Sequence, residues 1–214
     1  MTAAAPKSVL VIGAGGHAKV VISNLRAAGH AVTDIYDDDR GTWGTSVLGV
    51  PVRGAISELA HAGRRMAVIA IGNNRVRERL ARDIDMEWVT AAHPLAYIHP
   101  SVKLGEGSVV SAGAIIQPDA FIGAHVIVNT GATVDHDCVV GDFAHLAPGV
   151  RLAGGVRIAE GAFLGTGAVV IPCRSVGEWA VVGAGGVVIK DVPAAVTAVG
   201  VPARPRNQDS KEKI

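Results

Sequence analysis

From Ile98 to Val188 an aliphatic side chain returns at every sixth residue. The series is Ile98, Leu104, Val110, Ile116, Ile122, Val128, Val134, Val140, Leu146, Leu152, Ile158, Leu164, Val170, Val176, Val182 and Val188, sixteen positions without a slip. Neither the period of a helix nor the alternation of a half-buried strand fits this spacing. A hexapeptide β-helix does. Four residues after the aliphatic position the side chain is often small: Ser108, Ala114, Ala120, Ala132, Cys138, Ala144, Ala162, Ala168, Ala180 and Gly186. A narrow triangular coil takes a bulky aliphatic group at one inward site and a small one near its corner. Three hexads make one coil of about eighteen residues, so the run predicts a little over five coils. Glycines follow the aliphatic position at Gly105, Gly123, Gly141, Gly165, Gly177 and Gly183. They are expected where a corner demands unusual backbone angles.

The front of the chain has another rhythm. "SVLVIGAGGHAKVVISNLRAAGH" reads as strand, glycine turn and helix, and "AVTDIYDDD" as a second strand ending in acids. "GVPVRGAISELAHAG" offers a short strand and a helix, "MAVIAIGNN" a buried strand with a helix after it, and "EWVTAAHP" a last short strand. Alternating strands and helices predict a small Rossmann-like parallel sheet. The expected division is 1–95 for this nucleotide-binding unit, 96–206 for the β-helix and 207–214 for a polar tail, with the change of period in "HPLAYIHP".

Composition narrows the function. Lys+Arg 20 against Asp+Glu 19 leaves a net charge of +1 over 214 residues, without the basic excess of a nucleic-acid binder. No apolar run approaches the ~20 residues that cross a bilayer. The opening "MTAAAPKSVLVIGAGG" lacks a signal-peptide layout, and two cysteines make no disulfide framework. The expectation is a cytoplasmic protein with no membrane insertion.

Gly13-Ala14-Gly15-Gly16-His17-Ala18 fits G-x-G-x-x-G/A between a strand and a helix. Glycines admit a phosphate to the backbone, and the helix N-terminus attracts its charge. Asp37 follows Gly13 by 24 residues, near the spacing of a ribose-binding acid. A dinucleotide dehydrogenase is the competing reading, but about 90 residues hold one mononucleotide half. Ligands of open parallel sheets lie beyond the carboxyl ends of the strands. That collects Gly13, Gly15 and His17, then Asp37 and Asp38, then Asn73 and Asn74 as candidate substrate-binding residues.

"TVDHDCVVGDFAH" carries the candidate chemistry. Val134 and Cys138 take the two inward registers, so His136 between them is placed outside. His145 lies nine residues on, half a coil away. Imidazole accepts a proton at neutral pH, and an adjacent carboxylate would fix its tautomer. Cys138 reads as core, and Asp135 and Asp142 as solvent-facing or corner residues.

Taken together, "IGAGGHA", "DDD", "AIGNN", "VNTGATVDHDCVVGDFAHLAPGVRLAGGVRI", "FLGTGAVV" and "VGVPARP" resemble the bacterial nucleotide-sugar N-acetyltransferases. This hexapeptide-repeat group also includes sialic acid O-acetyltransferase relatives, and perosamine-type N-acetyltransferases are among the members the chain is similar to. The resemblance implies a left-handed parallel β-helix, a homotrimer, and acetyl-CoA as acetyl donor with no metal. It implies His136 as general base with Asp137 orienting it, where the family often carries Glu. It implies a place for Asn129 in the active site and for His145 beside the acetyl thioester. Acetyl-CoA would pass along backbone near Gly154, Thr166 and Ala184. The expected reaction is N-acetylation of a nucleotide-linked amino sugar for glycan biosynthesis, by direct attack on the thioester.

Three other readings compete. Sugar O-acetylation would use the same base on a hydroxyl. A zinc enzyme on the same prism would need His125, His136 and His145 to converge, but the repeat lacks the H-x-x-x-x-H pair typical of that class. A non-enzymatic nucleotide sensor would show no affinity for CoA.

Overall fold

A computed structural model describes residues 7–61 and 63–206. The polar tail expected at 207–214 lies outside the described residues. The front unit is a sheet of β1 (Ser8–Ile12), β2 (Ala31–Tyr36), β3 (Ser46–Val47), β4 (Val50–Gly54), β5 (Met66–Ile69) and β6 (Glu87–Trp88). Its order is β3-β4-β2-β1-β5-β6, with β3 antiparallel to β4 and the remaining pairs parallel. Helix α1 (Gly16–Ala27) and helix α2 (Asn74–Asp83) follow β1 and β5. The stretch expected as a helix after β4 is a 3-10 helix, Ile56–His61.

The second unit is a left-handed parallel β-helix. Each of the sixteen repeat aliphatics is the second residue of a two-residue strand, from β8 (Tyr97–Ile98) to β23 (Val187–Val188). Strands pair in parallel with those eighteen residues on; Val110, Val128, Leu146, Leu164 and Val182 stack in one column. Fourteen of the sixteen, from Val110 to Val188, are buried with the small residues of the second register in one core. Each such aliphatic contributes roughly 1.5–3 kcal/mol before chain entropy is counted. The prism begins at β7 (Ala91–Ala92), which pairs with β10 (Val109–Val110). "EWVTAAHP" is therefore divided: Glu87–Trp88 closes the front sheet, and Ala91–Ala92 opens the prism. Two final strands, β24 (Thr197–Val199) and β25 (Arg204–Pro205), extend one of the three prism sheets.

The glycines differ from expectation. The left-handed corner lies three residues after the aliphatic position, at glycines such as Gly107, Gly131 and Gly149 and also at Asp119, His125, Asp137, Phe143, Cys173 and Trp179. The glycine directly after the aliphatic position serves close stacking. A Cβ at Gly141 would meet the Glu160 nitrogen at 2.7 Å, and one at Gly165 the Ala184 nitrogen at 2.6 Å.

The front unit covers the prism sheet that contains β7, β10, β13 (Ile127–Val128), β16 (His145–Leu146), β19 (Phe163–Leu164) and β22 (Val181–Val182). On its outer face Ala91, Val109 and Ile127 join Val9, Val21 and Leu25 in one buried cluster. Polar links reinforce it: Asn24 Nδ2 donates to Ser111 Oγ at 3.3 Å, and Asn74 Nδ2 to the Gly161 carbonyl at 3.0 Å. Arg77, 1% exposed, reaches from α2 into the same seam.

Candidate active site

Between β14 (Thr133–Val134) and β15 (Val139–Val140) the chain turns one prism corner through Asp135, His136 and Asp137. Val134 and Cys138 point inward and are fully buried, which throws His136 outward. Asp137 occupies the left-handed region at φ 59°, which Asp tolerates better than most side chains. Its carboxylate folds back so that His136 Nδ1 donates to Asp137 Oδ2 at 2.7 Å. Asp135 Oδ1 accepts from the His136 backbone N–H at 2.8 Å. The Asp137 hydrogen bond first, and the Asp135 charge next, hold the imidazole above its ordinary pKa. With Nδ1 engaged, Nε2 of the neutral ring is left as the acceptor on an exposed side chain. The ring lies against Gly154, one coil on, where a Cβ would come within 2.6 Å of Nε2.

Asn129, His145 and His17 gather elsewhere, at the junction of front unit and prism. His145 Nδ1 lies 3.2 Å from the Gly72 carbonyl, and its Nε2 3.4 Å from Asn129 Nδ2. The His17 ring centre is 6.2 Å from that of His145, and Phe163 stands edge-on to His145 at 5.1 Å. Burial first, then the Arg77 charge, lowers both His17 and His145 to about 4. His17 Nε2 is buried without a hydrogen-bond partner.

The front loops meet as their position beyond the strand ends requires. Gly13 adopts φ 108°, and a Cβ there would strike Ile71 Cγ1 at 2.7 Å. Gly15 precedes α1 as its N-cap with no side-chain cap, and open space surrounds Gly15 and Gly16. Asp37 Oδ2 accepts from the Ala14 N–H at 2.6 Å and Oδ1 from the Asp39 N–H at 2.7 Å, so its carboxylate clamps the glycine turn. Asp38 Oδ1 accepts from the Ile56 N–H at 3.0 Å beside a cleft of about 560 Å³. Asn73 caps α2 through the Val76 N–H, and Asn74 is buried against the prism backbone. The Asn74 amide, expected to face a ligand, is thus engaged at both ends within the chain, whereas Asn73 uses its Oδ1 on the cap and stays exposed at the edge of a cleft.

Thr166 and Ala184 stack one coil apart at the corner after β19 and β22. Gly154 lies at the corner that holds His136, so one chain does not bring these three together. Nor does it bring His136 to His145. His125 is held between Trp88 and Phe143, with ring centres at 4.9 and 5.4 Å. Among the described residues no group of three His, Cys, Asp or Glu side chains is placed to hold a metal ion. Cys138 donates its thiol to the Ala153 carbonyl at 3.2 Å, and burial pushes its pKa up. Sequence reasoning missed Arg77 and Phe163. The one available signal was the i, i+3, i+6 spacing of Asn74, Arg77 and Leu80, which are the buried residues of α2.

A glycine-turn α/β unit seated on a hexapeptide prism is the architecture of the left-handed β-helix acyltransferases. Residues 8–84 match the PglD N-terminal domain family. Perosamine N-acetyltransferase from Caulobacter crescentus, crystallised as a histidine variant with CoA and GDP-perosamine, is 49% identical with a TM-score of 0.89, over 94% of this chain and 97% of that one. The acetyltransferase domain of PglB from Neisseria gonorrhoeae, solved with acetyl coenzyme A, is 39% identical with a TM-score of 0.88, over 94% and 100%. UDP-N-acetylbacillosamine N-acetyltransferase of Bacillus subtilis is 43% identical over 117 residues, 50% of this chain and 52% of that protein. A protein of Acanthamoeba polyphaga mimivirus is 34% identical over 103 residues, 48% of this chain and 21% of its own length. The chain thus spans about half or less of these curated relatives. It belongs to the family of bacterial nucleotide-sugar N-acetyltransferases.

Proposed function

We propose that the protein transfers the acetyl group of acetyl-CoA to the amine of a nucleoside-diphosphate-linked amino sugar, with His136 as general base. The observation that carries this reading is the 2.7 Å bond from His136 Nδ1 to Asp137. It leaves Nε2 as the acceptor, and a neutral base on the solvent side of a corner is what an attacking amine needs. The amine nitrogen bonds to the thioester carbon, Nε2 takes the amine proton, and the carbon–sulfur bond breaks to release CoA thiolate. Asp137 stabilises the imidazolium so formed. The uncapped start of α1 beside Gly15 suits the pyrophosphate of the sugar nucleotide. Gly154, Thr166 and Ala184 supply backbone for the acetyl donor. The near full-length similarity to a GDP-perosamine enzyme favours a GDP-linked substrate.

The site is proposed to form between copies in a homotrimer. His136 lies on a corner remote from His145, Asn129 and the front loops, so a reaction using both sets draws on two chains. Tyr97, Ile115 and Phe121 present exposed apolar surface on the two prism faces that meet at the His136 corner. Mixing His136→Ala and His145→Ala protomers should then recover activity above either parent, and no recovery would place the whole site in one chain.

The primary experiment is thiol release from acetyl-CoA against GDP-, UDP- and CMP-sugars with and without amino groups. Amino sugars should be turned over, and His136→Ala should lower kcat by at least ~10²-fold with assembly intact. Preference for a hydroxyl sugar, or normal turnover by the variant, would reject the reading.

A further inference from the structure

Arg77 heads the fully buried side chains in size, and every oxygen it donates to is uncharged. Nε donates to the His125 carbonyl at 2.8 Å. Nη1 donates to the carbonyls of Ile71 at 2.9 Å and Gly72 at 3.4 Å. Nη2 donates to Asn74 Oδ1 at 3.0 Å, to the Phe143 carbonyl at 2.7 Å and to the Ala144 carbonyl at 3.4 Å. Burying a guanidinium without a carboxylate is costly, and its pKa falls to about 9. A methionine or leucine would fill similar space without that cost. What the guanidinium adds is a fixed orientation of carbonyls from both units.

One of those carbonyls leads to the site. The Gly72 oxygen faces His145 Nδ1 at 3.2 Å, and a carbonyl only accepts, so Nδ1 carries the proton. Nε2 of the same ring must then accept, and Asn129 Nδ2 lies 3.4 Å from it. The Asn129 amide is oriented independently, because its Oδ1 accepts from the Thr130 N–H at 2.8 Å. The chain of donors therefore has one direction. Thr130 N–H donates to Asn129, Asn129 N–H to His145, and His145 N–H to Gly72, which Arg77 also holds. The opposite tautomer would set two N–H groups against each other at Nε2 and leave Gly72 with a weaker donor.

We infer that Arg77 is a positioning residue for acetyl transfer: by holding the Ile71–Gly72 carbonyls it fixes His145 in the tautomer protonated at Nδ1, so that the cluster presents the second Asn129 N–H, and no histidine N–H, to the substrates. This rests on the acetyltransferase reading above. A developing oxyanion calls for such a donor, and His145 with Nε2 unprotonated cannot supply it. The groups facing His145 agree. His17, Phe163, Asn129, the Gly72 carbonyl and Arg77 surround it, and the nearby cation opposes imidazolium formation.

The test uses full-length protein with 15N-labelled histidine, the His145 signals being assigned through His145→Gln. In the free wild-type protein Nδ1 should be protonated and Nε2 unprotonated from pH 8 down to about pH 5. In Arg77→Lys, which keeps a cation but loses the fork, the Nε2-protonated form should appear. The kcat should fall at least ~10-fold with KM for acetyl-CoA little changed. A residue that only stabilised the fold would lower the melting temperature without exchanging tautomers. An Nε2-protonated or charged His145 in the wild type at pH 7 overturns the inference, whether or not the variant folds. So does an Arg77→Lys protein with an unchanged His145 spectrum and unchanged kcat. The spectrum of the free protein needs no substrate, so its outcome is separate from that of the acetyl-transfer assay.

Discussion

The imidazole of His136 lies between two carboxylates and over a glycine, and each neighbour has a distinct effect. Asp137 bonds Nδ1 directly, Asp135 adds charge and holds the backbone, and Gly154 leaves room for the ring. Asp137 reaches the ring of the residue before it from a left-handed backbone, at φ 59°. The raised pKa sets a direction for the pH profile. As the proposed base, His136 acts only when unprotonated, so activity should climb through the raised value and be lost below it. Asp137→Asn removes the largest cause of the raised pKa, and the pKa falls. The ascending limb of kcat/KM against pH should move to lower pH while the plateau drops, because the imidazolium of the transition state loses its partner. A limb that stayed in place would separate Asp137 from the base.

At the scale of the coil, every hexad repeats one solution: an aliphatic inside, a left-handed corner, a small residue inside. Val140 is fully buried between Ile122 and Ile158 of the coils before and after it. Val140→Asp places an unpaired carboxylate in that column, at a cost on the order of several kcal/mol. The melting temperature should fall sharply, and an unchanged melt would contradict the inward register. This register was legible from sequence because the prism interior admits so few side chains. The corner was misread for a physical reason. Glycine is selected twice per hexad, once by positive φ and once by contact with the next coil, and composition alone does not tell the two apart. At Asp119, Asp137 and Trp179 the chain accepts the left-handed corner without glycine at all. His136 was legible as an outward residue between two inward ones. Its distance from His145 followed from their half-coil separation. Arg77 was not legible, since in "NRVRERLARD" one buried arginine looks like its solvated neighbours.

Across the whole molecule, the seam between front unit and prism concentrates burial and positive charge. His17, His125 and His145 are each lowered to about 4 by burial, with the Arg77 cation as the second cause in all three. In the unfolded chain they titrate near 6.5. Their folded values are depressed, so the stability they confer is fully present above about pH 6.5 and is lost as pH falls toward 4. In that window the unfolded chain binds protons that the folded chain refuses. Three such groups make the loss on the order of several kcal/mol, and it should appear as a melting temperature that declines between pH 7 and pH 4.5. His125→Phe keeps the stack between Trp88 and Phe143 while removing one titrating group, and should flatten that decline. Among the described residues the apolar cluster inside the prism holds no ionisable group other than the Cys138 thiol, so acid should loosen the seam before the coils. Loss of front-unit amide protection from hydrogen exchange ahead of prism protection at pH 5 would show this order. Simultaneous loss would mean that the two units unfold as one and that the buried histidines do not set the acid limit.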